Sequence, residues 1–164
     1  PTPPAIVARM IEEAHIEPGL SVLEPSAGIG NIADALRRAG CEPVCIEIAY
    51  DLADILKSKG YNVLWMDFLQ HTGQYDRIIM NPTFEHSQDI DHMQHAYTCL
   101  APDGILVAIM SEGPFFRSDR KSSEFRRWLD SVDGYSEKLP EHAFYQSGTD
   151  VQTRLVIIHK REIT

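Results

Sequence analysis

Three acidic residues stand where a carboxylate could hold a ligand rather than merely face water. Glu24 opens the stretch Glu24-Pro25-Ser26-Ala27-Gly28-Ile29-Gly30, directly after the apolar run Leu20 to Leu23. Glycines at 28 and 30 let the backbone turn sharply and approach a ligand, and a helix starting there presents free N–H groups. Gly28-x-Gly30-x-x-Ala33 also fits a dinucleotide fingerprint. The acid discriminates between the two ligands, because a carboxylate at Glu24 can receive the ammonium of a methionine moiety and would repel a pyrophosphate. Glu47 ends the next apolar run, where a carboxylate can accept from both ribose hydroxyls. Asp67-Phe68 follows the third run; Asp67 can accept from an adenine amino group, and Phe68 can stack on the ring. Singly, Glu47 reads as well as a solvated helix-cap acid and Asp67 as a turn acid. As a set, after three consecutive strands, they fit an adenosine joined to an amino acid, and the expected cofactor is S-adenosyl-L-methionine.

Elements of alternating period must position this set. Residues 3–15 place Ile6, Val7, Met10, Ile11 and Ala14 on one helical face, with Pro4 suited to the first turn. Strands are expected at Leu20–Leu23, Pro43–Ile48, Asn62–Met66, Tyr75–Met80, Ile105–Ser111, 135–139 and Val151–His159. Helices are expected at Gly28–Gly40, Tyr50–Lys59, Ser87–Leu100 and Ser122–Val132, with a turn at Pro102-Asp103-Gly104. Apolar strands alternating with helices imply a parallel sheet covered on both faces. The last two strands lack a helix between them and imply an antiparallel hairpin at one edge. The expected architecture is α/β: a doubly wound, mostly parallel seven-stranded sheet with a C-terminal antiparallel hairpin, in one domain over residues 1–164. Ligands of such sheets bind beyond the carboxyl ends of the strands, at the topological switch point.

The fourth strand runs into Asn81-Pro82-Thr83-Phe84. Together with Glu24-Pro25-Ser26-Ala27-Gly28-Ile29-Gly30, this loop resembles the class I, Rossmann-like S-adenosylmethionine-dependent methyltransferases of the amino-group type. Among them the chain is most similar to adenine-modifying DNA methyltransferases of phage or plasmid association. Pro1-Thr2-Pro3 resembles that family's N-terminal cofactor-contacting motif, and Ala143-Phe144-x-x-Ser147-Gly148-Thr149-x-Val151-x-Thr153 its terminal hairpin. The resemblance implies catalytic roles for Asn81, Pro82 and Phe84. It implies cofactor contacts from Thr2, Pro3, Glu24, Ser26, Ala27, Gly28, Gly30, Glu47, Ile48, Asp67, Phe68 and Asn81. An exocyclic amine conjugated to a ring is a poor nucleophile. The Asn81 side-chain oxygen and the Pro82 carbonyl can accept its two N–H bonds, which localises the lone pair without a strong base. Phe84 would stack on an extruded base. Thr83 stands where the family has a second proline, which would stiffen the loop.

Composition narrows the partners. The net charge of −9 disfavours nucleic-acid binding over the whole surface. A basic segment remains, with Arg117, Arg120, Lys121, Arg126 and Arg127 against Asp119 and Glu124. Arg117, Arg120, Lys121, Thr83 and Phe84 are therefore the candidate substrate contacts. Cys41, Cys45 and Cys99 fit reduced core thiols of a cytoplasmic protein, without the spacing of a zinc site. His92 and His95 do not form a His-Glu-x-x-His pattern, so no metal is expected; no membrane span is expected either. The expected acceptor is adenine in DNA. RNA adenine and a protein glutamine amide offer the same planar NH₂, and a non-catalytic cofactor- or DNA-binding remnant is the non-enzymatic alternative. No separate target-recognition domain is visible, so recognition would come from another subunit or a missing extension.

Overall fold

The computed structural model describes residues 1–141, 143–144 and 151–161. Its strands are β1 (Val22–Glu24), β2 (Val44–Glu47), β3 (Asn62–Trp65), β4 (Tyr75–Met80), β5 (Leu100–Ser111), β6 (Tyr135–Lys138) and β7 (Thr153–His159). Its helices are α1 (Pro4–Glu13), α2 (Asn31–Arg38), α3 (Tyr50–Ser58), α4 (Gln88–Thr98) and α5 (Arg120–Ser131). The seven strands form one sheet in the order β3-β2-β1-β4-β5-β7-β6. The ladders from β3 through β5 are parallel, whereas β7 runs antiparallel to both β5 and β6. This is the doubly wound sheet expected from the alternation of periods, with β7 inserted between β5 and the edge strand β6.

Ile78–Met80 of β4, Ile105–Met110 of β5 and Leu155–Ile158 of β7 are uninterrupted apolar runs because both faces of the sheet are covered there. Successive side chains of a strand point to opposite faces. Ile105, Val107 and Ile109 of β5 accordingly face α1 and α2 through Val7, Met10, Ile32 and Leu36. Leu106, Ala108 and Met110 face α4 and α5 through Ile90, Met93, Phe125 and Leu129. β7 divides the same way, Leu155 and Ile157 to one side, Val156 and Ile158 to the other. Phe125, wholly buried, anchors the second layer; truncating such a ring to alanine costs about 3–5 kcal/mol.

Several boundaries differ from the pattern reading, and those of β1 and β5 change what the strands contain. β1 is shifted toward its C-terminus, so that Glu24 belongs to the strand. The Pro102-Asp103-Gly104 turn lies inside β5 rather than before it. Asp103 adopts φ +64° there. Its N–H donates to the Lys160 carbonyl at 2.6 Å, and the Lys160 N–H donates to the Gly104 carbonyl at 2.9 Å. Pairing with the segment after β7 thus continues the ladder through residues whose local chemistry favours a turn.

Candidate active site

The order of the sheet reverses between β1 and β4, which leave in opposite directions toward β2 and β5. A cleft of about 820 Å³ opens beyond these strand ends. A recess of about 190 Å³, lined by Thr2, Glu24, Ala27, Gly28 and Asn31, shares Pro1, Ser26 and Asn81 with it.

The loop after β1 is shaped by two glycines. Gly28 and Gly30 adopt φ +56° and +98°, a region that costs an L-residue about 1–2 kcal/mol. A Cβ on Gly30 would also come within 3.1 Å of Leu56 Cδ2. Lys59 braces the loop, its Nζ donating to the Ile29 carbonyl at 2.7 Å and to Asp34 Oδ2 at 3.0 Å.

Glu24 and Glu47 are the last residues of β1 and β2, and Asp67 lies two residues beyond β3. Glu24 is 1% exposed, and its Oε2 accepts from the Ser26 N–H at 2.6 Å. Burial, helped by the nearby Glu47 charge, pushes its carboxyl up to about 8 against the opposing Ser26 hydrogen bond. Glu47 accepts from the Gly28 N–H through Oε1 and from the Ala49 N–H through Oε2, both at 2.8 Å. Each of its oxygens keeps a lone pair for a ligand hydroxyl. Asp67 spends Oδ1 on the Leu69 N–H at 3.0 Å and lines the cleft. Ser26 Oγ is buried without a hydrogen-bond partner among the described residues. A buried carboxyl held neutral by desolvation and an orphaned hydroxyl beside it are both relieved by a ligand that brings an ammonium and a carboxylate.

On the other side, β4 delivers Asn81, Pro82, Thr83 and Phe84 to the cleft wall. Asn81 Nδ2 donates to Thr2 Oγ1 at 2.9 Å. The loop continues through His86 and Ser87, consecutive non-glycine residues at φ +53° and +57°. Each such conformation stores on the order of 1–3 kcal/mol, which the surroundings must offset. Asp89 closes the loop from beyond, its buried Oδ2 accepting from the Ser111 N–H at 3.0 Å and the Ser111 hydroxyl at 2.8 Å. Thr83 is exposed, so its extra N–H and hydroxyl relative to proline stay in water.

Several sequence-derived candidates sit elsewhere. Pro3 caps α1 and Gly30 caps α2, and neither lines the cleft or the recess. Phe68 lines the cleft but is 2% exposed, its ring edge-on to His92 and His95. Ile48, 66% exposed, offers the freer apolar face. Arg117, Arg120 and Lys121 do not join the cleft. Arg120 pairs with Glu124 and Lys121 with Asp91, while the Arg117 guanidinium lies against Gly113. Replacing Arg120 and Lys121 with alanine is therefore expected to leave DNA affinity and its salt slope unchanged. A slope reduced by about 0.9 per lost contact would place phosphates on α5 instead. Of the hairpin motif, Phe144, Val151 and Thr153 line the cleft, whereas Ser147, Gly148 and Thr149 lie outside the described residues. Gln88 and His92 also line it and are not among the sequence-derived substrate contacts; they sit one helical turn apart on α4, a spacing that would have flagged them. Burial lowers the His92 pKa, so its ring favours the neutral form. Among the described residues no group of three or more metal-ligating side chains forms a metal site, and no helix is long and apolar enough to cross a membrane.

Residues 3–155 match the family model described as a methyltransferase domain. The chain belongs to this family. The matched region is a methyltransferase domain whose cofactor is S-adenosylmethionine, and the acids around the cleft and recess fit that cofactor. A protein-L-isoaspartate O-methyltransferase 2 from Rhodopseudomonas palustris is 33% identical over 138 residues, covering 76% of this chain and 61% of that protein. The type I restriction-modification methyltransferase subunit from Streptococcus thermophilus superposes with a TM-score of 0.82 at 16% identity, over 99% of this chain and 44% of that one. An RNA methyltransferase from Salinibacter ruber, in complex with S-adenosyl-L-homocysteine, gives 0.66 at 16% identity, over 100% and 95%. This chain thus spans less than two thirds of the isoaspartate relative and under half of the restriction-modification subunit. S-adenosylhomocysteine at 100 times its dissociation constant is expected to stabilise the fold by about 2.7 kcal/mol, raising Tm by roughly 5–10 °C. NAD at equal concentration should leave Tm unchanged; a shift with NAD alone would contradict the assignment.

Proposed function

We propose that this methyltransferase acts on an exocyclic amino group, and that the acceptor is adenine in DNA. The observation that carries the proposal is the Asn81 amide, whose nitrogen is held by Thr2 so that its oxygen is available to the cleft. The cofactor supplies an electrophilic methyl on a sulfonium. Asn81 Oδ1 and the Pro82 carbonyl accept the amine's two N–H bonds, which draws the lone pair out of conjugation and aims it across the cleft. The methyl of the bound cofactor would pass to the amine so oriented, and the amine's surplus proton would leave to water. Phe84 stacks on the base, a contribution of about 1–3 kcal/mol. The fold shared with a restriction-modification methyltransferase subunit supports DNA as the acceptor. Target recognition is then supplied by another subunit or segment, since the described cleft presents no base-reading extension.

A carboxylate acceptor, as the name of the Rhodopseudomonas palustris relative implies for that protein, suits the cleft less well. Its described lining includes Glu47 and Asp67 and neither lysine nor arginine. Such a wall favours a neutral hydrogen-bond donor over an anion. The test is transfer of labelled methyl by the full chain to duplex DNA, structured RNA, a glutamine-containing protein and an isoaspartyl peptide in parallel. DNA is expected to lead. Label confined to the protein or peptide would overturn the DNA assignment, and label in no acceptor would overturn the enzymatic one.

A further inference from the structure

The segment before α1 is built to hold one hydroxyl in place. Pro1, Pro3 and Pro4 surround Thr2. Proline fixes its own φ and confines the preceding residue to extended backbone, so the segment is stiff. The Thr2 carbonyl accepts from Asn31 Nδ2 at 3.2 Å, which ties the segment to the first residue of α2. Thr2 is 5% exposed, and its Oγ1 accepts from Asn81 Nδ2. A hydroxyl carries one hydrogen and two lone pairs. With Oγ1 accepting from Asn81, its hydrogen is left to donate elsewhere, and Thr2 lines the recess that holds Glu24 and Ser26.

The direction of the Thr2–Asn81 bond decides what Asn81 offers the substrate. With Nδ2 on Thr2, Oδ1 is free to accept from an amine. With the amide flipped, Oδ1 would take the Thr2 hydrogen, and an N–H would face the amine and repel it. At Thr2 the two arrangements are told apart by where the hydroxyl points its hydrogen. An acceptor in the recess that claims this hydrogen removes the flipped arrangement.

We propose that Thr2 is a positioning residue that couples the recess to the catalytic amide. Its hydroxyl donates to the carboxylate at the amino-acid end of the cofactor and accepts from Asn81 Nδ2. The amide oxygen is thereby turned to the acceptor amine once the cofactor is seated. This rests on the amino-group reading above.

Thr2→Val keeps the side-chain shape and removes the hydroxyl, while Thr2→Ser keeps the hydroxyl. Thr2→Val is expected to lower kcat by about 100-fold, as a misaimed catalytic group does, and Thr2→Ser to restore it to within a few-fold. In an Asn81→Asp background the two oxygens are equivalent and need no orienting, so Thr2→Val should then change kcat little, a non-additivity that marks action through residue 81. By calorimetry, Thr2→Val should weaken S-adenosylhomocysteine and leave 5′-methylthioadenosine, which lacks the amino-acid end, unaffected. The proposal is overturned if Thr2→Val raises KM for the cofactor at unchanged kcat, if it costs as much in the Asn81→Asp background as in the parent, or if both ligands bind unchanged. Should Asn81→Ala transfer methyl at the parent rate, the amino-group reading itself fails; should Asn81→Ala lose transfer while Thr2→Val keeps kcat, only the role of Thr2 fails.

Discussion

Asn81→Ala is expected to lower kcat by about 10²–10³-fold, the loss seen when one preorganised hydrogen-bonding group is removed from a developing charge. The affinity for S-adenosylhomocysteine should stay within a few-fold of the parent. The two effects separate because Asn81 sits on the loop after β4, opposite the acids that end β1 and β2. Its removal takes away an acceptor for the amine and leaves Glu24, Ser26 and Glu47 in place. The neighbouring residues sharpen the expectation. Phe84→Ala should also slow transfer, least on single-stranded or mismatched targets, where extrusion of the base costs little. Thr83→Pro should keep or raise the rate, since Thr83 is exposed and proline would stiffen the loop. Single-turnover transfer beside calorimetric titration measures both quantities. Equal loss of binding and rate in Asn81→Ala would make Asn81 a cofactor residue, and unchanged transfer would remove it from the chemistry.

How these residues meet was partly legible in the chain itself. Glu24, Glu47 and Asn81 could be placed because strand ends in a parallel sheet converge on one edge, so an acid or amide after an apolar run is positioned by topology alone. The glycine loop was legible for a similar reason, since Gly28 and Gly30 are needed at backbone angles that other residues avoid. Phe68 follows Asp67 and lines the cleft with it, but sequence gives no sense of its depth. Its ring is drawn into the α4 layer against two histidines. The basic run after β5 is a different case. A cluster of like charges in sequence says nothing of partners contributed by other elements, and here Asp91 of α4 reaches Lys121. Asn81 Nδ2 on Thr2 Oγ1 could not be read at all. It is a bond between residues separated by most of the sheet, and only the folded chain aligns them.

Cofactor binding at pH 7 should release about one proton, and the source is Glu24. Its carboxyl, ordinarily at 4.5, is pushed up to about 8 by burial, so the free protein holds it mostly protonated at pH 7. An ammonium seated beside it stabilises the ionised form and drives the proton out. Affinity for S-adenosylhomocysteine should therefore climb with pH up to about 8 and flatten above it, where the carboxylate is already ionised. Titrations in buffers of different ionisation heat read the released proton directly. Glu24→Gln should abolish the release and weaken binding, because the amide keeps the shape and cannot supply the charge. Stability is linked with the opposite slope. Between 4.5 and about 8 the folded chain binds a proton that the unfolded chain has lost, so this group's contribution is complete below 4.5 and disappears as pH rises through about 8. Glu24→Gln should flatten that part of the Tm–pH curve of the free protein, while saturating S-adenosylhomocysteine should flatten it in the parent. Proton uptake on binding, or a release that survives in Glu24→Gln, would remove Glu24 from the ammonium site and leave its burial to be explained by packing alone.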